Sequence, residues 1–241
     1  MYTDRQDFSG MGDTGDSWVR RILMAAVIVL LVVIAYFAGG FVMMRYDRFT
    51  IEKTTRVTSS ADGSAYRVHE QHEHPQKAAD TLAELNKRVV DLMRYLRRRY
   101  VQNPGREAHS PARIKAVDRL LARYNPDNLA ENSPKDPSGD TAYSVDKGAI
   151  VAICLRARDG PNVGKIHDIG ILTFVTLHEM SHIAVEAIDH PPEFWSTFKF
   201  LLASARDSGV YASPDLEKNP TRYCGTAVDY SPLWDPATPS I

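Results

Sequence analysis

The chain has 241 residues, 29 Lys+Arg against 30 Asp+Glu, a formal net charge of −1 and two cysteines. That length builds one domain with a sizeable core plus appendages. The charge balance argues against holding nucleic acid through the overall field, and two cysteines are too few for a disulfide scaffold or a cysteine-rich zinc module. A mean hydropathy of −0.30 is that of an ordinary soluble protein, but the apolar residues are unevenly spread.

Residues 1–17 carry Asp4, Asp7, Asp13 and Asp16 among Gly and Ser and read as a disordered tail. From Ile22 to Met44 there is no charged residue. About 23 residues at about 1.5 Å each span about 35 Å, enough for a hydrocarbon core of about 30 Å. Trp18 and Tyr46 stand at the interfaces, and Arg20, Arg21, Arg45 and Arg48 bracket the run. We expect a single transmembrane helix over 18–46, with Gly39-Gly40 as a packing face or kink. A cleaved signal peptide is the competing reading, disfavoured because its apolar region is usually about 7–15 residues. Basic residues after the span (Arg45, Arg48, Lys53, Arg56) slightly outnumber those before it (Arg5, Arg20, Arg21), a weak lean toward a cytoplasmic C-terminal part. No Asn-x-Ser/Thr acceptor occurs, Asn219-Pro220-Thr221 being spoiled by its proline.

Residues 47–76 are polar and read as a stalk. His69-Glu70-Gln71-His72-Glu73-His74 within it reads as solvated linker, or as a secondary metal-binding tract. A catalytic body is expected over 77–232, followed by a tail, 233–241. From Lys77 to Gln102, Leu82, Leu85, Val89, Leu92, Leu96 and Tyr100 recur at helical spacing, with Arg94, Arg97, Arg98 and Arg99 on the solvated side. Ser110-Pro111 opens a second helix, with Ile114, Val117, Leu121 and Tyr124 inward. Residues 125–140 form a loop. Ala142–Val145 and Ala149–Leu155 then read as strands of a hairpin turning at Asp146-Lys147-Gly148.

The chemistry concentrates in Leu177-His178-Glu179-Met180-Ser181-His182-Ile183, inside an apolar helical segment over 168–187. His178 and His182 stand one turn apart on the same face, so both imidazoles reach one tetrahedral Zn²⁺. Glu179, rotated by about 100°, lies beside the metal, where it can take a proton from an activated water and pass it to a leaving amine. A catalytic zinc needs a third ligand. The metzincin extension is absent, with Val185 and Ile188 where its glycine and histidine belong. His190 is the next histidine, and Pro191-Pro192 after it can start a helix carrying Phe194, Trp195, Phe198, Leu201 and Leu202 inward. His190 is expected as third ligand, with Glu193 or Glu186, or an ordinary surface histidine at 190, as the alternatives. Ile150–Leu155, if an edge strand, is a substrate rail. Tyr223 is a weak candidate for donating a hydrogen bond to a developing oxyanion, against the reading of an ordinary core or surface tyrosine. His167 reads as loop or core. Cys154 and Cys224 are expected as buried reduced thiols if the domain faces the cytosol, with a disulfide, or Cys224 near the metal, as the alternatives.

The stretch GAIVAICLRARDG (148–160), the LHEMSHI helix (177–183) and HPPEFW (190–195) together resemble the WLM/SprT-like group of small zinc metallopeptidases, found in eukaryotes, bacteria and large DNA viruses. The resemblance covers roughly residues 77–230, most specifically 148–202. It implies an α+β fold, a compact zincin-like domain of helices packed on a small sheet, with the 149–155 strand able to line the cleft. It also implies His178, His182 and His190 as zinc ligands and Glu179 as general base. The membrane segment is foreign to the DNA–protein crosslink proteases of that group, so their substrate does not carry over.

The expected function is a membrane-anchored zinc-dependent metalloendopeptidase acting on protein or peptide substrates. One alternative is a catalytically inactive membrane-tethered zinc module that recruits a partner. Another is a nucleic-acid-associated protease of the crosslink-repair type, suggested by the Arg94–Arg99 run.

Overall fold

In a computed structural model the described residues are 15–50 (backbone alone for 15–17 and 37–50), 54–70, 72–103, 105, 109–132, 141–212 and 214–241. Most of the expected N-terminal tail, and residues 133–140 of the expected loop, lie outside them, as do the side chains around Gly39-Gly40. The chain divides into two units, 1–51 and 52–241. The first holds one helix, α1 (Gly15–Thr50). Its stretch Trp18–Tyr36 is long and apolar enough to cross a membrane, and its side chains there are exposed all round, as no core helix of a soluble domain would be.

The second unit is a mixed α+β body. Its elements are β1 (Thr54–Thr58), β2 (Ala65–His69), α2 (Pro75–Tyr100), α3 (Pro111–Arg123), β3 (Leu129–Glu131), β4 (Ala142–Val145), β5 (Ile150–Ile153), α4 (Ile169–Ala184), α5 (Pro192–Asp207), β6 (Thr221–Tyr223) and β7 (Thr226–Val228). The first five strands form one sheet in the order β1-β2-β3-β5-β4; β2-β3 and β3-β5 are parallel, β1-β2 and β4-β5 antiparallel. The α2–α3 pair makes the crossover from β2 to β3, and β6-β7 is a separate hairpin.

Local chemistry explains the helices. Pro75 starts α2, whose stripe Leu82, Leu85, Val89, Leu92, Leu96 and Tyr100 is buried as the spacing predicts. Each such large side chain contributes about 1.5–3 kcal/mol by leaving water. Arg97, Arg98 and Arg99 are exposed in its last turn, where cations oppose the negative end of the helix dipole. The Ser110 hydroxyl accepts from the Arg113 N–H and caps α3. A buried polar relay joins three elements: Tyr124 donates to Asn86, Asn86 to Tyr66, and Tyr66 to Asp62.

Five expectations change. The loop expected over 125–140 contains β3 (Leu129–Glu131), an interior strand of the sheet. The stalk expected over 47–76 is in part sheet: β1 and β2 pair from Thr54↔His69 to Thr58↔Ala65, with Tyr66 and Val68 buried. The hairpin is held through its turn, where the Ser59 hydroxyl and the Ser60 N–H both donate to Asp80 of α2. β1 buries no side chain fully and β2 only Tyr66, Val68 and His69, too few to stand out as a period, although Asp62-Gly63 is a turn signal. The tail expected over 233–241 is docked on α5 by Lys199, whose ammonium donates to the carbonyls of Asp235 and Thr238. β5 is interior, between β3 and β4, so the edge strand at that end of the sheet is β4. Finally, Cys154 and Cys224 are joined as a disulfide with Cα atoms 6.4 Å apart, in place of the reduced pair expected by default.

That disulfide, closing a loop across a sequence separation of 70, ties β6-β7 to the segment after β5. A cross-link of this span stabilises by about 2–5 kcal/mol, chiefly by restricting the unfolded chain. Reductant is therefore expected to lower the melting temperature of the full chain by several degrees; an unchanged melting curve with free thiols titrated would contradict the pairing.

Gly148, in the β4–β5 turn, has φ +112°, and a Cβ there would sit 2.9 Å from the Arg123 carbonyl oxygen and 3.2 Å from Ile183. Gly148→Ala combines a disfavoured backbone with a clash against main chain. It should cost about 1–3 kcal/mol in urea unfolding.

Candidate metal centre

α4 carries the first two histidines through the middle of the domain, packed against the sheet and α2, α3 and α5. The Asp168 carboxylate accepts from the Gly170 N–H and caps its start. Buried polar residues along it are satisfied internally, with the hydroxyls of Thr173, Thr176 and Ser181 donating to carbonyls four residues back. His178 and His182, one turn apart, project from one face with ring centroids 5.1 Å apart.

Its end is held by three cations. Arg119 and Arg123 of α3 donate to the carbonyls of Ala184 and Ile183, and the Lys147 ammonium donates to those of His182 and Ala187. These otherwise orphaned carbonyls at the negative end of the helix dipole attract such donors. Lys147 thereby anchors the turn that follows α4. In that turn Asp189 adopts a left-handed backbone, φ 63°, which Asp tolerates better than most residues. The chain reverses there and brings His190 back over α4.

His190 Nε2 lies 3.0 Å from His178 Nε2, and its ring centroid is 4.9 Å from both other imidazoles. One ring nitrogen from each of the three falls within 4.8 Å of the others. Phe194, fully buried at the start of α5, touches all three rings at centroid distances of 4.8, 4.4 and 4.6 Å and forms the floor beneath them. The donor set fits zinc: three nitrogens in this compass suit metal–nitrogen bonds of about 2.0–2.1 Å, and all three imidazoles are kept neutral. Burial drives His178 down to about 3 and His182 to about 4, with the neighbouring imidazoles adding to the effect; burial lowers His190 too, against the opposing charge of Asp189.

These depressed values imply a pH dependence for the metal-free protein. Above the unfolded histidine pKa of about 6.5 the folded and unfolded states bind the same protons here. Below it the unfolded chain takes up protons that the folded site refuses, so stability falls as pH drops from about 6.5 toward 4. Thermal melts in chelator across pH 4–8 should show that decline, and replacing His178 and His182 together by Gln should flatten it.

The alternatives for the third ligand are engaged elsewhere. Glu186 accepts from Arg119 at 3.1 Å and Arg123 at 2.5 Å, and Glu193 lies 3.6 Å from Arg119. Among the described residues no other trio of His, Cys, Asp or Glu converges in this way. His69, at the end of β2, is buried against His72 at 5.4 Å, and His74 stands at the start of α2. His167 accepts from the Cys224 N–H and packs against Tyr223, a structural role. Arg156, in the Leu-Arg step after β5, forms a buried ion pair with Glu131 at 2.8 Å, and Glu131 also accepts from the His69 N–H. It ties the ends of β2, β3 and β5 together.

Two cavities flank the trio and share His178 and Glu179 as lining. One, of about 510 Å³, is bordered by the β4 residues Ala142–Ser144, the turn residues Asp146 and Lys147, and His182 and His190. The other, of about 390 Å³, is lined by five aromatic residues, Tyr223 among them, beside Glu179, Asp229 and two threonines. Tyr223 is almost fully enclosed, with its hydroxyl 3.5 Å from the Thr141 carbonyl oxygen. Burial and the charge of Glu179 raise its phenol and keep it protonated. These are the surroundings of a wall residue. Lys147, Arg119 and Arg123 had no functional signal in the sequence, because their partners lie on other elements, whereas Phe194 was expected inward and lies within the HPPEFW stretch.

No family model and no solved structure matches the chain. It is similar to the uncharacterized protein R325 of Acanthamoeba polyphaga mimivirus, 29% identical over 86% of this chain and 95% of the viral protein. It is also 28% identical, over 38% of this chain and 50% of the other, to the uncharacterized protein 136R of Invertebrate iridescent virus 6.

Proposed function

We propose that the chain is a membrane-anchored zinc-dependent metalloendopeptidase with a zincin-like catalytic body. The observation that carries this reading is the convergence of three neutral imidazoles beside the Glu179 carboxylate, all four residues lining one open cavity. His178, His182 and His190 would hold the zinc. When bound, zinc supplies Lewis acidity, polarising a scissile carbonyl and making water acidic near neutral pH. Glu179, 4% exposed, takes the proton of the attacking water and returns it to the departing amine. β4 is an end strand of the sheet, a place where an extended peptide can be laid alongside, and its Tyr143 and Ser144 border the cavity. The lack of a fourth converging ligand among the described residues, with His190 exposed, favours catalysis over a closed structural zinc site. α1 would serve as the anchor, and the Cys154–Cys224 disulfide favours an oxidising surrounding for the catalytic body.

The test uses the full chain in detergent with an unfolded protein substrate. Endoproteolysis that chelator removes and stoichiometric zinc restores is expected. Zinc-loaded protein that cleaves neither this substrate nor a mixed peptide library would overturn the reading.

A further inference from the structure

The second cavity is built differently from the first. Phe174 comes from α4, Trp195 and Phe198 from α5, Tyr223 and Val228 from the β6-β7 hairpin, and Tyr230 from the segment just after it. Its inner end opens on His178 and Glu179. The outer wall therefore comes from the last part of the chain, outside the helix pair that holds the histidines, and it is fastened at two points. The disulfide secures the hairpin at Cys224. Lys199, on α5, donates to the carbonyls of Asp235 and Thr238 at 2.7 and 2.8 Å. The Tyr230 hydroxyl meets those same two residues through their side chains, at 2.9 and 3.1 Å. So held, the Tyr230 ring stands edge-on to Trp195 at 5.5 Å, and the two form the mouth.

We infer that this cavity is the side-chain subsite that selects the substrate: it receives one large apolar, aromatic-sized side chain next to the scissile bond, and Lys199 is the positioning residue that sets its width. The inference rests on the peptidase reading and adds a substrate class to it. An apolar side chain entering the cavity meets aromatic walls, which favour offset and edge-to-face ring contacts. A carboxylate side chain would lose water and face Asp229 and Glu179, which also line the cavity. A peptide lying on the β4 edge passes this cavity, because Ala142 borders both spaces. A pocket of this chemistry should favour Phe or Leu over Ala or Asp by about 10- to 100-fold in kcat/KM.

The test scans one position at a time on both sides of the cleaved bond in fluorogenic peptides, using the zinc-loaded full chain in detergent. Preference for Phe and Leu is expected at one position only. Val228→Trp, which fills the cavity, should collapse the Phe-to-Ala ratio. Lys199→Met should flatten it mainly through a higher KM for the Phe peptide, and Lys199→Arg should restore it. Melting curves identify any variant that fails to fold, and Tyr230→Ala, at the mouth, is the reserve. Calorimetric binding of the same peptides to zinc-loaded Glu179→Gln protein gives a readout independent of hydrolysis. Cleavage with no side-chain preference, or with a ratio that Val228→Trp leaves unchanged, overturns the subsite and leaves the peptidase standing. If the wild type cleaves nothing, the peptidase reading falls. The subsite then stands on tighter binding of the Phe peptide that Val228→Trp removes, and falls if the Phe and Ala peptides bind equally.

Discussion

Replacing Glu179 by Gln is expected to abolish hydrolysis while leaving zinc binding intact. The substitution keeps size and shape at a position that is 4% exposed, so neither a cavity nor a clash arises and α4 is undisturbed. What disappears is the basic carboxylate. An amide cannot take a proton from the attacking water or deliver one to the leaving amine, and general acid–base assistance of this kind is worth about 10²–10⁴ in rate. The nitrogens proposed to hold the zinc belong to His178, His182 and His190. Metal content measured beside kcat/KM on the same preparation makes the check. Activity within tenfold of wild type would remove Glu179 from the mechanism, and loss of zinc in the variant would make it a ligand or a determinant of the ligands.

His190→Ala should lower zinc affinity by more than about 100-fold, beyond the 10–100-fold typical of residues that only support a ligand. Two imidazoles on α4 remain, but a pair one helical turn apart leaves half of a tetrahedral site to water. The neighbouring carboxylates cannot readily take over, since Glu186 is held by Arg119 and Arg123 and Glu193 lies near Arg119. Glu186→Ala and Glu193→Ala should therefore retain zinc, which makes them the controls for a nonspecific effect. Competition against a chromophoric chelator measures all three. Wild-type affinity in His190→Ala would assign the third ligand elsewhere, and a large loss in Glu186→Ala would restore the carboxylate alternative.

The local parts of this site are legible from sequence because they depend on one helix. The His178–His182 spacing and the position of Glu179 follow from 3.6 residues per turn, provided the segment is helical, and its apolar composition already requires that. The same reasoning yields α2 with its buried stripe, the capped start of α3 and the β4–β5 hairpin, each resting on periodicity or on a residue type with a fixed local preference. α1 is legible too, as an uncharged run longer than a soluble core needs.

Other features depend on where distant segments meet. Thr54–Thr58 and Ala65–His69 look like linker because each strand has few inward residues, and only pairing along the sheet and the hold on Asp80 make them part of the body. Whether β4 or β5 is the edge is a matter of strand order, which alternating side chains do not encode. Cys154 and Cys224 are 70 residues apart, and their union depends on the β6-β7 hairpin folding back onto the end of β5.

The two cysteines and the near-neutral charge that open the sequence thus acquire different weight. By itself the sequence determined the apolar helix, the two-histidine face and its adjacent carboxylate, because backbone periodicity converts spacing into geometry within one element. The tertiary structure alone decided that His190, beyond a left-handed Asp189, closes the trio, that Glu186 and Glu193 face arginines, and that the C-terminal segment walls an aromatic cavity. Those are meetings between elements, governed by packing and by charge partners far away in the chain, and no local spacing specifies them.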